Sequence, residues 1–227
     1  MGRPAKLSRE RLQTAALALV DAHGLAGLSM RALASELGSA PMTIYNHVAG
    51  RAELEVLVVE AVIGEADWSR EPHDDWRDAV VAITVALWRA VRAHPHAIPL
   101  ILTRRSRSTA LLEASEPLLD ALARSGRSGR ELLIAFRTVT GFVMGIAQAE
   151  LAGPLSVAAD EPADVVIGRF RALPRFRYPR LIEIADAAAT SDAEGELRAG
   201  LALVIAGLDA GLDATPSPSR RRLPVAQ

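Results

Sequence analysis

Apolar positions recur three and four residues apart along most of the chain, the spacing of one face of an α-helix, and the strict alternation of a half-buried strand is almost absent. The first such stripe, Leu12, Ala15, Ala16, Leu19 and Val20, predicts a helix over about 8–23 that closes at His23-Gly24. A second, short helix opens at Ser29, whose hydroxyl can accept a bond from an otherwise unpaired backbone N–H, and buries Met30, Leu33, Ala34 and Leu37. Gly38 ends it, because glycine takes the left-handed conformation without a Cβ clash. Ser39 is placed to cap a third helix in which Ile44 and Val48 face inward, while Pro41, Met42, Thr43, Tyr45, Asn46 and His47 stay available to solvent or a ligand. An exposed Thr-Ile-Tyr-Asn-His run on so short a helix is poor core material and suits a groove. Two short helices joined by a glycine turn form the pattern of a DNA-reading helix-turn-helix.

A fourth helix is expected over about 51–66, followed by a break at Trp68-Ser69-Arg70-Glu71-Pro72. Asp75 then caps a long helix through Trp76, Val80, Ile83, Leu87 and Val91, stopped at His94-Pro95. A short apolar helix over about 95–102 and another over about 109–125 come next, the latter closed by Ser125-Gly126-Arg127-Ser128-Gly129. The segment over about 131–151 is apolar on most sides, through Leu132, Ile134, Phe136, Val139, Phe142, Val143 and Ile146, and needs cover nearly all round. Gly153-Pro154 stops it, and the prolines at 154, 162, 174 and 179 mark a long connection holding one short helix over about 165–173. Tyr178-Pro179-Arg180-Leu181 leads into a further helix, and the last, over about 194–212, sets Leu197, Leu201, Val204, Ile205 and Leu208 on one face. Residues 215–227 have the proline-rich, charged composition of a disordered tail.

The expected fold is therefore all-α: an N-terminal three-helix helix-turn-helix head over 1–67, a larger C-terminal helical domain over 68–214, and the tail. A chain of 227 residues, 50% hydrophobic, can bury a substantial core. No apolar run reads as the roughly 20 residues that span a bilayer, and Met1-Gly2-Arg3-Pro4-Ala5-Lys6 lacks the apolar block of a signal peptide, so the expectation is a cytoplasmic protein with no membrane partner. The lack of cysteine removes disulfides, thiolate nucleophiles and zinc-thiolate sites together. A net charge of −1 argues at first against nucleic acid, but its distribution matters more than its total. Arg3, Lys6, Arg9 and Arg11 cluster at the start and Arg31 and Arg51 flank the third helix, while acidic residues thicken at Glu65, Asp67, Glu71, Asp74, Asp75 and Asp78 and around Asp160, Glu161 and Asp164. One basic end on a neutral-to-acidic body fits a DNA-binding head on a partner domain.

The run from Leu28-Ser29-Met30-Arg31-Ala32-Leu33-Ala34 through Gly38, Thr43, Tyr45, His47 and Arg51-Ala52-Glu53-Leu54, preceded by the capped first helix, resembles the TetR family of bacterial transcriptional regulators. Val48 stands where phenylalanine is frequent and Arg51 where lysine is, both keeping the physical role of the position. Later segments resemble the branch whose C-terminal domain is like that of the tetracycline repressors: Gly141-Phe142-Val143-Met144-Gly145-Ile146, the Leu173-Pro174 and Tyr178-Pro179 pairs, and the run from Gly200 to Leu208. The resemblance implies a homodimer in which the long apolar helix and the last helix pair with their twins in a four-helix bundle. Their surplus apolar surface and Gly141, Gly145, Gly200 and Gly207 agree with close helix approach.

For contact with a double-stranded DNA operator the candidates are Ser29, Arg31, Pro41, Met42, Thr43, Tyr45, Asn46, His47 and Arg51. Arg31 resembles the residue that reaches a guanine in some family members, whereas Tyr45 and Arg51 suit phosphates, which position a head without reading sequence. Against this stands the plainer reading that Tyr45 and His47 are surface and packing residues of a helical bundle. A small-molecule effector is the family's usual second partner, with Ile83, Leu87, Ile101, Phe136, Thr140 and Met144 as candidate pocket walls and Arg104 as a polar anchor. Each has core packing as its alternative. The tetracycline repressors hold a magnesium chelate with a histidine, an asparagine and a threonine, and the matching positions here carry Ile83, Ile101 and Arg104, so a tetracycline-magnesium complex is not expected.

His94-Pro95-His96 supplies two imidazoles without carboxylate or thiolate neighbours in sequence, which suits a helix end better than a metal, and no cofactor is expected. No Ser-His-Asp order, glycine-rich phosphate loop or paired carboxylates suggest an enzyme. The function expected is a ligand-responsive repressor released from a palindromic operator by a small apolar effector. The alternatives are a helical ligand-binding or scaffolding protein without DNA affinity, and an activator of the same fold.

Overall fold

A computed structural model describes residues 7–67, 73–104, 108–152 and 161–213 of the chain. Among them are eleven α-helices and no strand: α1 (Arg9–Gly27), α2 (Met30–Glu36), α3 (Pro41–Tyr45), α4 (Arg51–Gly64), α5 (Trp76–Ala93), α6 (Ile98–Arg104), α7 (Thr109–Ala123), α8 (Gly129–Ala152), α9 (Ala163–Arg171), α10 (Pro179–Ala188) and α11 (Ala193–Asp213). A 3₁₀ turn, Pro95–Ala97, joins α5 to α6. The expected break at residues 68–72, the Gly153-Pro154 stop and the tail at 215–227 lie outside the described residues.

Side-chain caps fix several helix starts where the sequence places them. The Ser8 hydroxyl accepts from Arg11 N, that of Ser29 from Ala32 N at 3.1 Å, and that of Ser108 from Leu111 N, while the Asp75 carboxylate accepts from Arg77 N at 2.8 Å. Ser39 departs from expectation, because α3 starts one residue later, with Ala40 at its cap and no side-chain cap bond. Pro41 occupies the first turn instead, where a missing N–H costs nothing and a fixed φ helps. α1 also runs on past His23 as a helical turn interrupted at Gly24, whose φ of 64° is one that glycine adopts cheaply.

One hydrophobic core runs from Leu12 of α1 to Ile205 of α11, so head and body share an interior. α4 is the reason. Leu54, Leu57, Val58, Val59 and Val62 are each 0% exposed, which leaves this helix covered on all sides, by α1 towards the head and by α5, α6 and α7 towards the body. At about 1.5–3 kcal/mol for each large apolar side chain taken out of water, α4 is the strongest single tie between the two parts.

α8 and α11 behave differently. They pack on each other where Phe142 lies against Gly200, and bury Val139, Val143, Leu197, Leu201 and Ile205, yet Leu133, Ile134 and Leu203 face solvent, Leu203 at 77% exposure. By length and composition α8 matches a membrane-crossing helix over Gly129–Glu150, although little of it beyond Ala135, Val139, Val143, Met144 and Ala147 is buried within the chain. The expectation that no run is that apolar therefore fails for this helix. Threonines and glycines break its pattern in the one-dimensional reading without making the helix polar. Of the four glycines expected to allow close helix approach, Gly200 does so inside the chain, where an added Cβ would stand 2.3 Å from Cζ of Phe142. Gly141, Gly145 and Gly207 face open space.

α9 and α10 pack on one another, burying Val166, Ile167, Ile182 and Ala185 and leaving Val165, Ile184 and Phe176 exposed.

Candidate nucleic-acid interface and internal cavity

The groove-facing surface is built by three turns of geometry. Gly38, at φ 60°, lets Ser39 N reach back to Ala34 O at 2.8 Å, which closes α2 and swings the chain into α3. Ile44 and Val48, 0% and 1% exposed, then pin α3 against the core with Leu33 and Ala34 of α2. What the pinning leaves outside is Pro41, Met42, Tyr45, Asn46 and His47, all exposed, with Thr43 half-buried beside them. Met42 at 72% and Tyr45 at 53% are large apolar surfaces that a free-standing head has no folding reason to show. Arg31, exposed in the first turn of α2, and Ser29 at its cap complete the candidate group on the two helices.

Arg51 is used otherwise than expected. Its guanidinium donates to the carbonyl of Leu28, to that of Leu25 at 2.9 Å, and to Glu55 Oε1 at 2.8 Å. It thereby braces the α1–α2 connection onto α4, and a cation so occupied is no free phosphate clamp in this arrangement. The reason escapes the sequence because Leu25 and Leu28 come near residue 51 only once α4 folds back along α1. Glu53 accepts from Ala49 N at 2.7 Å and secures the same helix start.

In the body, α5, α6, α7 and α8 enclose a cavity of about 330 Å³, at the small end of the range for ligand sites. Ile83, Leu87, Ile101, Phe136, Thr140 and Met144 all line it, so the structure gathers six of the residues singled out from sequence. The side chain of Arg104 lies outside the described residues. Sequence reading missed the α7 wall, Leu111, Leu112, Ala114, Ser115 and Leu118, and on α5 and α8 it missed Thr84, Arg137, Val139 and Val143. The residue spacing on α8 was a usable signal: Arg137, Thr140 and Met144 fall at i, i+3 and i+7 on one helix face. Among the described residues no histidine or carboxylate lines the cavity, and no group of three metal-ligating side chains occurs.

The hydroxyls of Thr84, Ser115 and Thr140 each donate to the carbonyl one helical turn back, at Val80, Leu111 and Phe136. Their protons are therefore committed inside their own helices, and only lone pairs remain to face a guest.

His94 and His96 sit at the seam between head and body. His94 Nδ1 lies 2.8 Å from Asp21 of α1 and its Nε2 2.8 Å from Glu65 after α4, while His96 Nδ1 donates to the Val20 and Asp21 carbonyls at 3.2 Å. His94 does sit at a helix end, as the C-cap of α5, and there it also bridges two carboxylates that sequence reading did not supply. Burial pulls its pKa down, but the hydrogen bonds and charges of Glu65 and Asp21 outweigh that and leave it above the ordinary histidine value.

Residues 69–212 match the family model described as "Tetracyclin repressor-like, C-terminal domain". An HTH-type transcriptional regulator of Saccharopolyspora erythraea is 33% identical over 144 residues, a match that covers 63% of this chain and 61% of that relative, less than two thirds of its length. Among solved structures, the transcriptional regulator SCO7222, a TetR from Streptomyces coelicolor, is similar with a TM-score of 0.76 at 32% identity, covering 90% of this chain and 99% of that one. The TetR family protein ActR of the same organism, solved in complex with actinorhodin, is similar with a TM-score of 0.72 at 28% identity, over 91% of this chain and 99% of that one. The all-helical fold, the capped helix-turn-helix and the matched C-terminal domain agree, and the chain belongs to the TetR family of transcriptional regulators.

Proposed function

We propose that this protein is a homodimeric, ligand-responsive transcriptional repressor that binds a palindromic DNA operator with two heads and leaves it when a small apolar effector enters the body. The observation that carries the reading is the exposed set on α2 and α3, held rigidly from behind by Ile44 and Val48 on a head that shares its core with a hollow body. Arg31, Thr43, Tyr45 and His47 reach base edges and phosphates, with Ser29, Pro41, Met42 and Asn46 around them. A regulator of this kind is non-enzymatic and works in the cytoplasm, where the DNA is.

The second copy is called for by the apolar surface of α8 and α11, since Leu133, Ile134, Leu203 and three uncovered glycines form a face that water covers poorly. Release follows from the path of packing. The cavity is walled by α6 and α7, both of which pack on α4, and α4 packs on α1. A guest that favours one setting of α6 and α7 therefore favours one spacing of the heads, and DNA favours a spacing of about 34–36 Å, one turn of the duplex.

Binding to DNA from the protein's own upstream intergenic region, measured across a salt series against an unrelated duplex of equal length, tests this. Specific, salt-sensitive binding by a dimer is expected. Failure to select any sequence from a random pool would sink the DNA-binding reading and favour the scaffold alternative.

A further inference from the structure

Polarity within the cavity is arranged by depth. Thr84, Ile101, Val139 and Val143 form its floor, none more than 2% exposed, whereas Leu112 and Arg137 line it while remaining exposed, which puts them at its mouth. Arg137 is the one ionised residue of the lining among the described residues. Its guanidinium makes no hydrogen bond or ion pair to any other described residue, and no carboxylate among the described residues lines the cavity to neutralise it. An arginine always carries its charge, and its planar donors fit a carboxylate or sulfonate. The lining hydroxyls, by contrast, offer no free proton, since Thr84, Ser115 and Thr140 donate to their own helices.

We infer that the effector is an amphiphilic anion, an apolar body seated on the floor with one acidic group at the mouth against Arg137. This rests on the proposed function only in taking the cavity as the effector site. A merely apolar guest would gain nothing from the arginine, and a cationic one would be repelled by it. Fatty-acid-like and aromatic acids both meet the description, and shape decides between them.

Two fluorescent probes share one skeleton and differ in charge: 1-anilinonaphthalene-8-sulfonate and the uncharged N-phenyl-1-naphthylamine. Binding of both to the full-length dimer is compared in the wild type, Arg137→Gln, Arg137→Lys and Ala114→Trp, the last of which fills the cavity. Arg137 is exposed in the single chain, so its variants keep the core intact, and because it shares a helical stripe with Leu133 and Gly141 of the proposed dimer face, sedimentation of each variant checks that the dimer persists. We expect Ala114→Trp to abolish the cavity-bound fraction of both probes. Arg137→Gln should weaken the sulfonate about tenfold at low salt and leave the naphthylamine unchanged, with Arg137→Lys restoring part of the difference. If both probes bind in the cavity and Arg137→Gln moves them equally, the anion assignment falls and the cavity reading stands. If Ala114→Trp changes neither probe, the cavity reading itself falls.

Discussion

Nδ1 of His94 lies 2.8 Å from Oδ2 of Asp21, a contact that joins the end of α5 in the body to α1 in the head across 73 residues of sequence. Glu65 holds the opposite ring nitrogen at 2.8 Å, so both partners are acceptors and only the doubly protonated imidazolium can donate to both. His96, beside it, engages backbone carbonyls and no charge.

The consequence is a pH dependence of known sign. Because the folded-state pKa of His94 is raised above 6.5, its contribution is complete below the unfolded value and fades as pH rises through the folded value. The melting temperature of wild type relative to His94→Gln should therefore show its largest advantage near pH 6 and shrink towards pH 8. A difference that grows with pH instead would show that Asp21 and Glu65 do not hold the charged ring.

Arg51 and Arg31 should separate cleanly in their effects. Arg51→Gln removes the brace to Leu25 and Leu28 and is expected to cost about 1–2 kcal/mol of stability, read by chemical denaturation. Arg31→Ala and Tyr45→Phe, both at exposed positions, should leave stability and dimer intact and weaken operator binding. Arg31→Ala is the larger effect, about five- to a hundredfold, if it reads a base edge. An Arg51→Gln protein of unchanged stability would return that residue to the phosphates.

Leu203, 77% exposed on α11, lies under the second copy in the proposed dimer. Leu203→Glu places a charge where burial is required and should give a species sedimenting as a single chain, with α11 still helical. A variant that stays dimeric with wild-type affinity would place the interface elsewhere.

Tetracycline supplies a negative prediction. With no histidine or carboxylate among the described residues of the cavity wall, a chelated magnesium finds no such ligand there. Calorimetric titration of tetracycline should give the same weak or absent heat with magnesium as with a chelator, and strong magnesium-dependent binding would overturn the correspondence drawn at Ile83, Ile101 and Arg104.

Much of this molecule is local in origin and was legible in one dimension. Ser29, Gly38 and Asp75 set helix ends through bonds to residues within five positions, and period-3.6 stripes such as Leu12 to Val20 state which face is buried, so the all-α order and the exposed set on α3 follow from neighbours along the chain. Even six cavity residues could be named, because a wall between helices is made of the same apolar faces. Tertiary structure alone decided which long-range partners those faces and charges found. Arg51 turned inward to carbonyls 23 and 26 residues away, His94 bridged two carboxylates that are distant in sequence, and Arg137 became a cation of the cavity lining. Helical periodicity fixes the direction in which a side chain leaves its helix, but its partner depends on how helices cross, and that is settled by the packing of the whole core.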